Sequence, residues 1–106
     1  MVEVRQIRKV ALCASRHIMP LDVKGSVFPK VVDLDNISYI EDVADKFVCQ
    51  CKLDNVELHL YCSGAQIPIL AVVNACIRRG VPMVAYHYNP TTGLYVPQKL
   101  CINEEV

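Results

Sequence analysis

A helical apolar series framed on both sides by strand-like runs constrains this chain more than any other feature. Ile40, Val43, Ala44, Phe47, Val48 and Cys51 follow the i, i+3, i+4, i+7, i+8, i+11 spacing of an amphipathic helix, with Asp42, Asp45, Lys46 and Gln50 on the other side. Ser38-Tyr39-Ile40-Glu41 reads as its capping box: the serine hydroxyl covers an orphan amide and the glutamate reaches back. Beyond the helix, Asp54-Asn55 marks a turn, and Val56-Glu-Leu-His-Leu-Tyr-Cys62 alternates apolar and polar residues with the period of a strand. Ahead of it, Ile7 to Ala14 reads as a first strand whose mainly apolar second half suits a buried parallel sheet.

The remaining segments continue this alternation. Ser15 to Ser26, with Pro20 and Gly25, reads as a loop, and Val27 to Leu34 as a short second strand. Pro29 places that strand at an edge or marks its beginning. A second helix follows Ser63-Gly64-Ala65-Gln66, with Pro68 near its first turn, Arg78 and Arg79 in its last turn, and Gly80 just past its end. Val81 to Tyr88 is a further strand, Asn89-Pro-Thr-Thr-Gly93 a turn, and Leu94-Tyr-Val-Pro97 opens a final short strand. Strands alternating with helices imply parallel pairing through right-handed crossovers. The expectation is α/β: one small Rossmann-like domain over residues 1–106, with a mainly parallel sheet and a C-terminal hairpin.

Composition narrows the function classes. The chain is 53% hydrophobic, enough for a packed core, and its 11 basic and 11 acidic residues cancel. A duplex DNA binder or a membrane-surface protein shows a basic surplus that this chain lacks. A small ligand with a few phosphates needs only a local positive pocket. The longest apolar stretch, Ile67 to Val73, falls far short of the roughly 20 residues of a membrane span. Met1-Val2-Glu3-Val4-Arg5 carries no apolar signal region. Among the six cysteines, Cys13, Cys62 and Cys76 sit in apolar runs as small core residues, and Cys49-x-Cys51 lacks zinc spacing. A reduced, cytoplasmic protein with no metal and no cofactor is expected.

In sheets of this kind, ligands bind beyond the carboxyl ends of the strands. Three segments emerge there: Ser15-Arg16-His17, Ser63-Gly64-Ala65-Gln66 and Tyr86-His87-Tyr88-Asn89. Ser63-Gly64 lets the backbone approach a ligand, and the helix start favours an anion, although a tight turn with Ser63 as helix cap accounts for the same residues. Arg16 and His17 after a buried strand need solvent or an anion, so a solvated loop is the plain alternative. Glu57, His59 and Tyr61 share one face of their strand, where His59 reads as a half-buried structural residue. Tyr86 and Tyr88 share a face opposite His87, and Tyr88 could stack on a base or belong to the core.

Leu58 through Gln66, with Tyr86-His-Tyr-Asn-Pro-Thr-Thr-Gly-Leu-Tyr-Val-Pro97, resembles the CARF and SAVED nucleotide-sensor domains of prokaryotic antiviral systems. Ser15-Arg16-His17 followed by Asp33-Leu34-Asp35 is also similar to the small stand-alone CRISPR-associated ring nucleases. The resemblance spans about residues 7–100 and rests on short motifs. SAVED domains are about twice this length, so one chain would supply half a site and a homodimer the whole.

That resemblance implies a cyclic oligoadenylate ligand. Ser15, Arg16 and His17 would surround its phosphates, Ser63, Gly64 and Gln66 would form a second loop, and Tyr88 and Asn89 would contact a base. Cleavage without a metal would run by in-line attack of a ribose 2'-hydroxyl, with Arg16 stabilising charge and His17 as acid or base. Two other readings stand beside it. One is a non-catalytic nucleotide-binding or protein-interaction module whose tyrosine-rich strand end forms the surface; the other is a different small-molecule enzyme on the same fold.

Overall fold

The computed structural model describes residues 5–13, 19–29, 33–62 and 66–102. Its elements are β1 (Gln6–Cys13), β2 (Ser26–Phe28), α1 (Ile37–Leu53), β3 (Val56–Cys62), α2 (Gln66–Arg79), β4 (Met83–Asn89) and β5 (Leu94–Lys99). They build one five-stranded sheet in the order β2-β1-β3-β4-β5. The first four strands run parallel, and β5 returns antiparallel to β4. The expected α/β domain with a mainly parallel sheet and closing hairpin is what forms.

Connectivity decides which face the helices take. The steps from β2 to β3 through α1 and from β3 to β4 through α2 move the same way across the sheet. Right-handed crossovers therefore put both helices on one face. Ile40, Ala44, Val48 and Cys51 of α1 and Ala71, Val72, Ala75 and Cys76 of α2 are buried there against Val10, Leu12, Leu58, Leu60 and Met83. The step from β1 to β2 runs the opposite way and must pass over the other face. Met19 and Asp22 reach that face, Asp22 paired to Lys9 of β1 and Met19 Sδ accepting from the Tyr95 hydroxyl of β5 at 3.3 Å, before Lys24 and Gly25 bond to the β1 backbone.

Several boundaries differ from the sequence reading. Asn36, not Ser38, caps α1, its Oδ1 accepting from Tyr39 N–H at 3.2 Å. The helix begins at Ile37, so Ser38 already lies within its first turn and is not the cap of a capping box. The second strand covers only Ser26–Phe28 and stops before Pro29; residues 30–32 lie outside the described residues. β4 starts at Met83 because Val81 belongs to the end of α2, its N–H donating to Cys76 C=O. With Gly80 at φ +66°, this is the closure in which a left-handed residue lets the chain turn back under the last carbonyls.

Pro97 sits inside β5, the outermost strand of its edge. Leu100 N–H donates to Met83 C=O across this ladder, so alternate residues Gln98 and Val96 also turn their backbone groups inward. Pro97 falls between them and directs its missing donor away from the sheet.

Candidate functional site

Because both helices cover one face, the opposite face of β3, β4 and β5 is left to polar and aromatic side chains. The register sets Tyr61 beside Tyr86 and His59 beside Val84, so the alternate residues Glu57, His59, Tyr61, Tyr86 and Tyr88 point to the same side. Tyr95 joins them from β5 as the partner of Tyr88. The Tyr61 and Tyr86 rings stack at 4.4 Å with 2° between their planes, and Tyr95 meets Tyr61 edge-on at 5.2 Å.

A cavity of about 420 Å³ opens beside these rings. Its walls are Met19, Pro20, Tyr61, Tyr86, Leu94 and Tyr95, and Gly93 closes the rim where the hairpin turns with φ +73°. Tyr61 is the penultimate residue of β3 and Gly93 follows the end of β4, so the cavity lies just under the carboxyl edge of the parallel strands. Strand order reverses between β1 and β3, which run in register as far as Ala11 beside Tyr61. That reversal is where open α/β sheets place their ligands.

Behind the cavity runs a hydrogen-bonded chain. His59, buried at 7% exposure, has Nε2 at 2.6 Å from Glu57 Oε2 and Nδ1 at 3.0 Å from the Tyr86 hydroxyl. Burial raises the Tyr61 phenol and, to the same sign, the neighbouring Tyr86 adds to it. Burial also raises Tyr95. These two phenols therefore meet a ligand as neutral hydroxyls. The Asp22 carboxylate raises Lys9, and Lys9 in turn lowers Asp22, so this ion pair keeps its charge on the cavity's flank. A second cavity of about 420 Å³ lies toward the amino end of β1, but its Lys9 and Arg8 are already paired with Asp22 and Asp54.

The residues expected at the site fare unequally. Ser15, Arg16, His17, Ser63 and Gly64 lie outside the described residues. Gln66 is the exposed first residue of α2. Tyr88 leans on Tyr95 at 5.3 Å. Asn89 uses its side-chain oxygen to accept Thr91 N–H at 3.0 Å and its carbonyl to accept Gly93 N–H at 2.8 Å, which gives it a turn-forming role. His87 lies on the helix-bearing side, exposed, 2.8 Å from Gln98 Oε1. Tyr86 belongs to one of the three segments expected at the ligand edge, whereas Tyr61, Tyr95 and Met19 are not singled out as site residues by the sequence. The period-two faces of β3 and β4 were legible; that neither carries a helix on that side required the strand order.

Burial holds the core cysteines in their protonated form. Burial pushes the Cys62 thiol up to about 11 and the Cys76 thiol up to about 12. Among the described residues no three His, Cys, Asp or Glu side chains are grouped to hold a metal ion. Among them, too, no helix is long and apolar enough to cross a membrane. A scan against protein-family models, a search of curated proteins and a search of solved structures each find no match.

Proposed function

We propose that this chain binds a cyclic oligoadenylate at the carboxyl edge of its sheet and, as a homodimer, degrades it without a metal in prokaryotic antiviral defence. The observation that carries the binding half is the tyrosine-walled cavity just under the carboxyl edge of β3 and β4, on the β5 side of the point where strand order reverses. Its aromatic walls and 420 Å³ volume suit one planar base. On this reading the base enters between Met19, Tyr86 and Tyr95, and the ring's phosphates face the segments that follow β1 and β3. Arg16 would stabilise the charge developing on the attacked phosphate and His17 would move the proton, as the resemblance implies. Ser15, Ser63, Gly64 and Gln66 would hold the remaining phosphate oxygens. A two-fold pair of chains would give a symmetric ring two equivalent cavities.

The test is incubation of metal-free protein with cyclic tri-, tetra- and hexa-adenylate, followed by chromatography and thermal melting. A raised melting temperature with linear products is the expected result, and Arg16→Ala with His17→Ala should abolish the products. A shift without products would reduce the function to binding or sequestration. Neither a shift nor products would overturn the reading and leave the tyrosine-bearing face as a protein-interaction surface.

A further inference from the structure

We propose that the ion pair between Lys9 and Asp22 positions the Met19–Pro20 wall of the cavity, so that both are positioning residues and neither is a contact to the ligand. The inference rests on the reading above that a base enters this cavity, and adds what holds one of its walls in place. The segment joining β1 to β2 is tied to β1 at its far end by main-chain bonds. Lys24 N–H donates to Lys9 C=O at 3.0 Å, and Ala11 N–H donates to Gly25 C=O at 3.1 Å. The wall lies earlier in the segment. There Val23 N–H donates to Pro20 C=O at 3.1 Å, closing a turn over Pro20, Leu21, Asp22 and Val23. Leu21 at its tip is 94% exposed, so apolar contact does not seat this turn on the sheet. Asp22 does: its carboxylate pairs with the Lys9 ammonium, and Lys9, the register partner of His59, rises from the tyrosine-bearing face.

The turn carries the anchor's position to the wall. The ring of Pro20 fixes its φ, and its carbonyl is held by Val23, so a shift of Asp22 shifts Pro20 and Met19 with it. Met19 in turn bonds across the cavity, its Sδ accepting from the Tyr95 hydroxyl at 3.3 Å. The hydrogen bond between the two charges raises Lys9 and lowers Asp22, so the pair stays ionised through the neutral range. Its side chains are 32% and 59% exposed, and an exposed pair adds little to global stability. Its loss should therefore loosen this segment and leave the fold intact. The same geometry fixes the sign of the effect. Were Lys9 a phosphate contact, removing Asp22 would free a cation and tighten binding; as an anchor, it loses its hold on the wall and binding weakens.

The experiment uses Asp22→Asn and Asp22→Glu in the full-length chain, with hydrogen peroxide and cyclic tetra-adenylate as probes. In the ligand-free protein, Asp22→Asn should speed conversion of Met19 to its sulfoxide about two- to fivefold, read by peptide mass spectrometry. Met83, 1% exposed in the core, should keep its rate, a pattern that general unfolding would not give. The same variant should weaken cyclic tetra-adenylate binding about two- to fivefold, through faster dissociation. Asp22→Glu keeps the charge and should stay near the original chain in both readouts. Tighter or unchanged binding by Asp22→Asn overturns the inference, as does an unchanged Met19 rate, a Met83 rate that rises with it, or an Asp22→Glu variant that behaves like Asp22→Asn. Each of these leaves the binding function standing. If the original chain binds no ring while Met19 still responds to Asp22→Asn, the binding reading falls and the anchoring of the wall stands.

Discussion

On its helix-bearing face β3 presents Leu58, Leu60 and Cys62, while on the other it presents Glu57, His59 and Tyr61. The first set is held by contact area alone: Leu58 and Leu60 are fully buried under the two helices, and any apolar group of the right volume would serve. The second set is held by direction. His59 is almost as buried as its neighbours, yet each of its ring nitrogens has one specific partner. Low local polarity strengthens such bonds and penalises their loss, so that face tolerates few substitutes even where it contributes less to stability. Seven residues of one strand thus divide into a face held by packing and a face held by directed hydrogen bonds.

The contrast can be broken or sharpened in four ways. The largest effect lies in thiol chemistry. At pH 8, thiols near 11 and 12 hold on the order of one thiolate per thousand or fewer, so Cys62 and Cys76 should label slowly while exposed Cys101 labels at once. Mass spectrometry of time points reads this directly, and equal rates would mean that the covered face is not closed. Next, Leu60→Ala should cost about 2–5 kcal/mol in urea unfolding, because the helices cannot collapse into the space it leaves. Tyr86→Phe on the open face should cost only about 1–2 kcal/mol, the loss of one hydrogen bond to a buried imidazole. A larger cost for Tyr86 than for Leu60 would reverse the assignment of roles.

The smallest effect concerns the helix layer alone. Asp45 of α1 is held below its ordinary carboxylate range chiefly by hydrogen bonds from Arg79 of α2, with Arg78 contributing. A folded-state value below the unfolded one adds stability that is complete above the unfolded pKa, about 3.9, and is lost as pH falls through the folded value. Asp45→Asn should therefore flatten the acid limb of the stability curve and leave the neutral region nearly level. A curve that keeps its original acid limb in the variant would remove the pair from the account.

Much of this architecture was legible in the chain. The helical spacing from Ile40 to Cys51 describes the buried stripe of α1, with Val43 and Phe47 half-buried beside it, and Gly80 marks the end of α2 where a left-handed residue is needed. The cap of α1 was misread because Ser38 and Glu41 satisfy the capping pattern in the right order, whereas Asn36 makes the bond to Tyr39. The second strand ran too long in the reading because β-branched residues signal a strand equally well on either side of a proline. For the site, the obstacle was non-local. Glu57 and His59 stand two apart, but Tyr86 is 27 residues further on, and Met19 meets Tyr95 across 76. Such contacts follow from strand order, which periodicity does not encode.

Proline at both margins of the sheet has a consequence for how the chain can associate. β2 offers a backbone edge only three residues long and ends at Pro29, and β5 carries Pro97 with its absent donor turned outward. Proline at these positions makes both margins poorer templates for another strand, which disfavours the edge-to-edge growth that leads to fibrils. It also restricts the geometry of any symmetric pair. Fusion of two copies into one continuous ladder is disfavoured at both margins, which turns association toward side-chain contacts, face against face or loop against loop.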